Sequence, residues 1–226
     1  MCLGGELFDR ICRKGNYYES DAASLVRGTV SGVSYLHEHG IVHRGCLPRC
    51  SLLIIDLKPE NLLFRTPAED SPLLIADFGL SRIIDEQSFH VLTTTCGTPG
   101  YMAPEIFKKS GHGKPVDVWA LGVITYFLLC GYTPFDRDSG VEEMQAIMAA
   151  DYSFEPFEYW EDVSDAAKDF IRGCLTVNPQ ERLTAKQCAE HPWLRPKAPV
   201  EKEADLLPKL RSNFNARRYR ICAHLR

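Results

Sequence analysis

Apolar residues recur along the chain with two different periods, and the changes of period mark the elements. Between residues 20 and 39, Ala22, Leu25, Val26, Val30, Val33 and Leu36 follow helical spacing, with Ser20 as the expected cap and Gly40 as the stop. An amphipathic helix is predicted there, its apolar stripe turned to the core. Ahead of it, Gly4-Gly5 opens a shorter helix through Leu7, Phe8 and Ile11, ending near Gly15. Leu62-Leu63-Phe64 and Leu73-Leu74-Ile75-Ala76 are short apolar runs joined by the turn-rich TPAEDSP, which predicts a hairpin. Val116 to Cys130 is apolar nearly all round, the mark of a helix buried on every side. With 15 residues and Asp117 among them, it is short for a membrane span. A bare buried acid is costly, so backbone donors are expected for Asp117. Further helices are expected from Ser139, Ser164 and Thr184, the first and last with capping-box partners Glu142 and Gln187.

Composition narrows the class. A chain of 226 residues with 45% apolar content is long enough for one large domain or a domain and a tail, and is not expected to be globally disordered. A net charge of −4 gives no footprint for nucleic acid. Nine cysteines without a Cys-x-x-Cys pair fit neither a zinc site nor a secreted disulfide framework. MCLGGELFDR carries two acids and no apolar core, so no signal peptide is expected and a reducing, cytoplasmic setting is the default. His37 and His39, two apart on a helix, face different ways and are not read as a metal pair. After Pro196, PKAPVEKEAD is linker-like, and residues 206–226 are basic with interspersed Leu210, Phe214, Tyr219 and Leu225. Such a pattern suits a calmodulin target or a membrane-surface helix.

The chemistry gathers between Asp56 and Gly79. Asp56-Leu57-Lys58-Pro59-Glu60-Asn61, the hairpin and Asp77-Phe78-Gly79 supply two acids, a lysine and an amide in one short stretch. Phosphoryl transfer depends on charge neutralisation and on positioning two oxygens. Asn61 and Asp77 offer oxygen ligands to magnesium, Lys58 a cation for a phosphate oxygen, and Asp56 a base for an acceptor hydroxyl.

Those residues, followed by Ala103-Pro104-Glu105, stand in the order and spacing of protein kinases, and the chain resembles that family. DLKPEN and GTPGY look like the serine/threonine branch. GGELFDRI, TTTCGTPGYMAPE and NFNARR are similar to calcium/calmodulin-dependent protein kinases, particularly those of fungi. The resemblance implies a mainly α, kinase-like large lobe over residues 1–195 and a truncated autoregulatory tail over 196–226. It implies ATP and Mg2+ as cofactors, and protein substrates with a basic residue upstream of Ser/Thr. Calmodulin and an upstream activating kinase are the implied partners. Glu6 and Glu60 would meet ribose or basic substrate residues, and Leu63 would form the apolar floor under adenine. Thr94 matches the threonine phosphorylated by an activating kinase, with Thr93 and Thr95 as rivals, and Arg44 matches its phosphate partner. Thr98 links the activation segment to Asp56 and Lys58, Glu105 pairs with Arg182, and Asp117 holds the catalytic-loop backbone.

Two departures accompany the resemblance. It places Met1 at the hinge between lobes, so the ATP-binding small lobe is expected to be absent. Eleven residues, 45–55, also separate Arg44 from Asp56, where the family joins them directly. They read as retained intron sequence, as a bulging insertion that spares the loop, or as a disabling change. Negligible kinase activity is therefore expected of residues 1–226 alone, and a protein-binding module is the alternative function. For the tail, autoinhibitory packing, calmodulin binding and a frayed end all stay open.

Overall fold

The computed structural model describes residues 4–39, 57, 59–68, 71–76, 100–108, 113–196 and 203–214. At the centre lies the all-apolar helix, here α4 (Pro115–Cys130), in which every residue from Val116 to Cys130 is buried. Pro115 sits in its first turn, where a missing N–H costs nothing, and Gly131 ends it in the left-handed region at φ 85°. Trp119 stacks on Phe135 with centroids 5.5 Å apart. Full burial of each such side chain contributes about 1.5–3 kcal/mol before entropy is counted.

The amphipathic helix is α2 (Glu19–Glu38), and it packs its Ala22, Val26, Val30 and Val33 stripe towards α4. Its start differs from the expected one. Tyr18, not Ser20, is the cap residue, because the Asp21 carboxylate accepts from the Tyr18 amide at 3.0 Å and fixes the first turn two residues earlier. The Ser20 hydroxyl instead donates to Glu203 at 2.7 Å. Glu19 is itself a hub: its carboxylate accepts from the Ser164 amide and hydroxyl and from the Trp193 indole at 2.6–2.9 Å. One helix start thereby holds two distant segments.

In front of α2 is the hairpin, β1 (Leu62–Phe64) and β2 (Leu73–Ile75), antiparallel with Leu62 opposite Ile75, Leu63 opposite Leu74 and Phe64 opposite Leu73. The period of two buries Leu62 and Phe64 and leaves Leu63 half-buried beside Leu74. Along the free edge of β1 runs the chain start: Gly4 N donates to Phe64 O at 3.0 Å and Phe64 N to Gly5 O at 3.1 Å. Gly4 has no room for a Cβ, which would lie 2.7 Å from Phe64 O. The short α1 (Leu7–Arg13) follows.

The remaining helices are α3 (Pro104–Phe107), α5 (Gly140–Ala149), α6 (Phe157–Trp160), α7 (Asp165–Cys174) and α8 (Ala185–Glu190). Caps fall where the sequence puts them. Ser139 accepts from the Glu142 amide, Ser164 from Ala167, and Thr184 with Gln187 forms a full capping box. Residues 207–214 are helical and lie against the lobe. No helix among the described residues is long and apolar enough to cross a membrane.

Candidate functional site

Of the residues that carry the chemistry in the sequence, Arg44, Asp56, Lys58, Asp77, Thr94 and Thr98 lie outside the described residues, as does the 45–55 insertion. The structure does place their flanks. Leu57 is buried, and Pro59–Asn61 form a 3-10 turn that carries Glu60 and delivers Asn61 to the start of β1. Asn61 is 9% exposed, and its carbonyl accepts from the Ala76 amide at 2.7 Å. The hairpin therefore brings the backbone of Asn61 against the residue that precedes Asp77. This pairing follows from the register, since β1 begins one residue after Asn61 and β2 ends one residue before Ala76.

Leu63 and Leu74 are cross-strand partners on the same face of the hairpin, Leu74 being 37% exposed. Glu6 stands beside them through an antiparallel bridge to Leu63. Leu63 and Leu74 thus form a small apolar surface with the Glu6 backbone at its edge. No group of three or more metal-binding side chains occurs among the described residues.

Behind the hairpin, Asp117 in the first turn of α4 is 2% exposed. Its donor is the ring of His37, with Nε2 2.7 Å from Asp117 Oδ2. Among the described residues its partner is an imidazole from α2; the catalytic-loop backbone expected to supply further donors lies outside them. His37 was missed as a functional residue, although a signal was there: it falls four residues after Val33 and seven after Val30, on the apolar stripe. A histidine on that stripe is buried and must find a partner. His39, by contrast, is exposed, and its ring lies over Tyr35.

The second anchor is Glu105 with Arg182, as the resemblance implied. Arg182 donates to the two Glu105 oxygens at 2.7 and 2.9 Å. Its other three N–H groups go to the carbonyls of Pro115, Thr176 and Val177 at 2.8, 2.8 and 3.3 Å. All five guanidinium donors are satisfied, and the cation lies 5.0 Å from the Trp119 ring centroid. The end of the segment that leads from Asp77 is thereby fixed to the base of α4.

This arrangement, mostly helical with one two-stranded sheet, is kinase-like, and residues 1–194 match the protein kinase domain: the chain belongs to the protein kinase family. Within that family its similarity is to the calcium/calmodulin-dependent kinases. It is 65% identical over 222 residues to calcium/calmodulin-dependent protein kinase cmkB of Emericella nidulans, covering 96% of this chain and 52% of the relative. It is 54% identical over 218 residues to the type I enzyme of Schizosaccharomyces pombe, covering 96% and 61%. Human type 1B is 47% identical over 216 residues, covering 95% and 59%. The chain thus spans about half to three-fifths of the length of these relatives.

Proposed function

We propose that the chain carries the large-lobe half of a serine/threonine kinase site, which transfers the γ-phosphoryl group of ATP to a protein hydroxyl. The observation that supports it most is the Asn61–Ala76 hydrogen bond of 2.7 Å, which draws together the two stretches holding the magnesium ligands Asn61 and Asp77. When bound, magnesium-ATP supplies the phosphoryl group and a cation to offset its charge. Asp56 orients the acceptor hydroxyl and takes its proton, and Lys58 neutralises a phosphate oxygen. Leu63, with Leu74 beside it, supports adenine, while Glu6 and Glu60 select a basic residue upstream of the acceptor. Phosphorylation of Thr94 by an upstream kinase, answered by Arg44, orders the activation segment. The relatives' names carry calmodulin into the proposal as a partner for the tail, and a cytoplasmic setting goes with it.

A second reading, a binding module without transfer, draws on the eleven residues between Arg44 and Asp56. Sequencing the native transcript across this stretch separates the two. A message joining Arg44 directly to Asp56 supports the kinase, whereas one encoding residues 45–55 as written favours the module.

A further inference from the structure

Two sulfur atoms meet where α7 ends beside α8. Cys174, the last residue of α7, and Cys188 of α8 place their Sγ atoms 3.8 Å apart, and both residues are 0% exposed. Fourteen positions separate them in the chain, so no cysteine motif announces the pair. We propose that Cys174 and Cys188 are a redox pair, which hydrogen peroxide closes into a disulfide that staples α8 to α7 and fixes the loop carrying Arg182.

The setting favours this pairing. Cys130, the other buried thiol among the described residues, is turned to carbonyls instead, its Sγ lying 3.2 Å from Tyr126 O and 3.4 Å from Tyr132 O. Cys174 is pressed against the central helix: a Cβ on Gly122 of α4 would lie 2.7 Å from Cys174 Cβ. Cys188 is held through its backbone, its amide donating to Thr184 O at 2.9 Å and its carbonyl accepting from the His191 amide at 3.1 Å. A disulfide needs its sulfurs about 2.05 Å apart, so about 1.8 Å of approach remains. Rotation about the two Cα–Cβ bonds with a small shift of the short α8 covers that distance.

Burial also decides when the pair reacts. It pushes the Cys174 thiol above its usual range, and the hydrogen bond with Cys188 acts the same way, while the Arg182 cation acts against both. The closed protein therefore holds an unreactive thiol. Opening of α8 admits the oxidant and leaves Cys174 near a guanidinium that favours its thiolate. The Cys174 sulfur then attacks one peroxide oxygen: an S–O bond forms, the O–O bond breaks, and the departing hydroxide takes up the thiol proton as water. Attack by the Cys188 sulfur on the resulting sulfenic acid forms the S–S bond and breaks the S–O bond, and a second water leaves. Two thiols are oxidised and one peroxide is reduced to two waters.

The loop so closed, residues 174–188, contains Arg182 together with Thr176 and Val177, whose carbonyls accept from it. Stapling both ends of that loop holds the guanidinium on Glu105. The redox state of the pair is thereby tied to the anchor that fixes the end of the segment leading from Asp77.

The whole 226-residue chain, reduced and then treated with graded hydrogen peroxide, tests the pair without reference to kinase activity. Remaining thiols are alkylated after unfolding, and tryptic peptides are identified by mass spectrometry. The expected product joins the peptides of Cys174 and Cys188 with loss of two hydrogen atoms, and dithiothreitol reverses it. Recovery of both cysteines as alkylated thiols after peroxide has consumed the others overturns the proposal, as does either one joined chiefly to a different cysteine. The bridged form is expected to melt about 3–10 °C above the reduced form, and an unchanged or lower Tm overturns the staple. Cys188→Ala should abolish both the linked peptide and the rise in Tm; a rise that survives the substitution comes from another cysteine and counts against the proposal. Should that variant not fold, Cys174→Ala supplies the same reading.

Discussion

Arg182 shows how much structure a single side chain can organise. It is fully buried, satisfied at every donor, and joins the segment end at Glu105 to the base of α4. Removing one member of a buried pair strands the other's charge, so Arg182→Ala is expected to cost about 3–5 kcal/mol by denaturant unfolding. The pair itself is worth much less than either loss suggests. A Glu105→Leu/Arg182→Met double variant should therefore be more stable than either single variant, and simple additivity of the two losses would refute this account. The tyrosines make a second prediction at this scale. Burial raises Tyr132, hydrogen-bonded to Trp160 and Glu155, from 10.0 to about 12, with nearby Cys130 adding to the shift. Burial likewise raises Tyr152 to about 12, partly offset by Arg172, and Tyr126 still higher. With folded values above the unfolded one, this stability is complete below pH 10.0 and is lost as pH rises through about 12. Tyrosinate absorbance and circular dichroism recorded together should show the buried phenols ionising only as helix is lost; complete ionisation near pH 10.0 with helix intact would contradict it.

Among the elements, α7 depends on a junction no local pattern announces. Ser164 caps it, and the same hydroxyl donates to Glu19 at the start of α2. Ser164→Ala should cost about 1–2 kcal/mol, at the upper end for a cap, because the Glu19 carboxylate also loses a donor. A loss within experimental error would show that Glu19 and the cap are not coupled. The same contrast explains what the sequence could tell. Helix α4, the hairpin and the caps at 139, 164 and 184 were legible because periodicity and capping chemistry are local. The start of α2 was misplaced by two residues because serine competed with an Asp21 bond to the Tyr18 amide. His37 with Asp117 spans 80 positions, and the Tyr17 amide donates to Asp205 in the tail; no window of sequence holds both partners. The motif residues are proposed on another ground, the residue types and spacing that phosphoryl-transfer chemistry favours, and Asp56, Lys58 and Asp77 lie outside the described residues.

For the whole molecule, the described parts form one hydrophobic core that runs from Leu7 to Leu210. Its hairpin presents Asn61, Leu63 and Leu74 together, at the place where the large-lobe half of the proposed site would take its nucleotide. The most direct measurement is transfer of labelled γ-phosphate from magnesium-ATP to a peptide with a basic residue upstream of serine, using the product of the native transcript. Transfer that falls at least about 100-fold in Asp77→Ala and in Asp56→Asn, with Tm unchanged, is the predicted result. No transfer by the parent protein, or transfer that survives Asp77→Ala, would contradict the proposal and leave the binding module in its place.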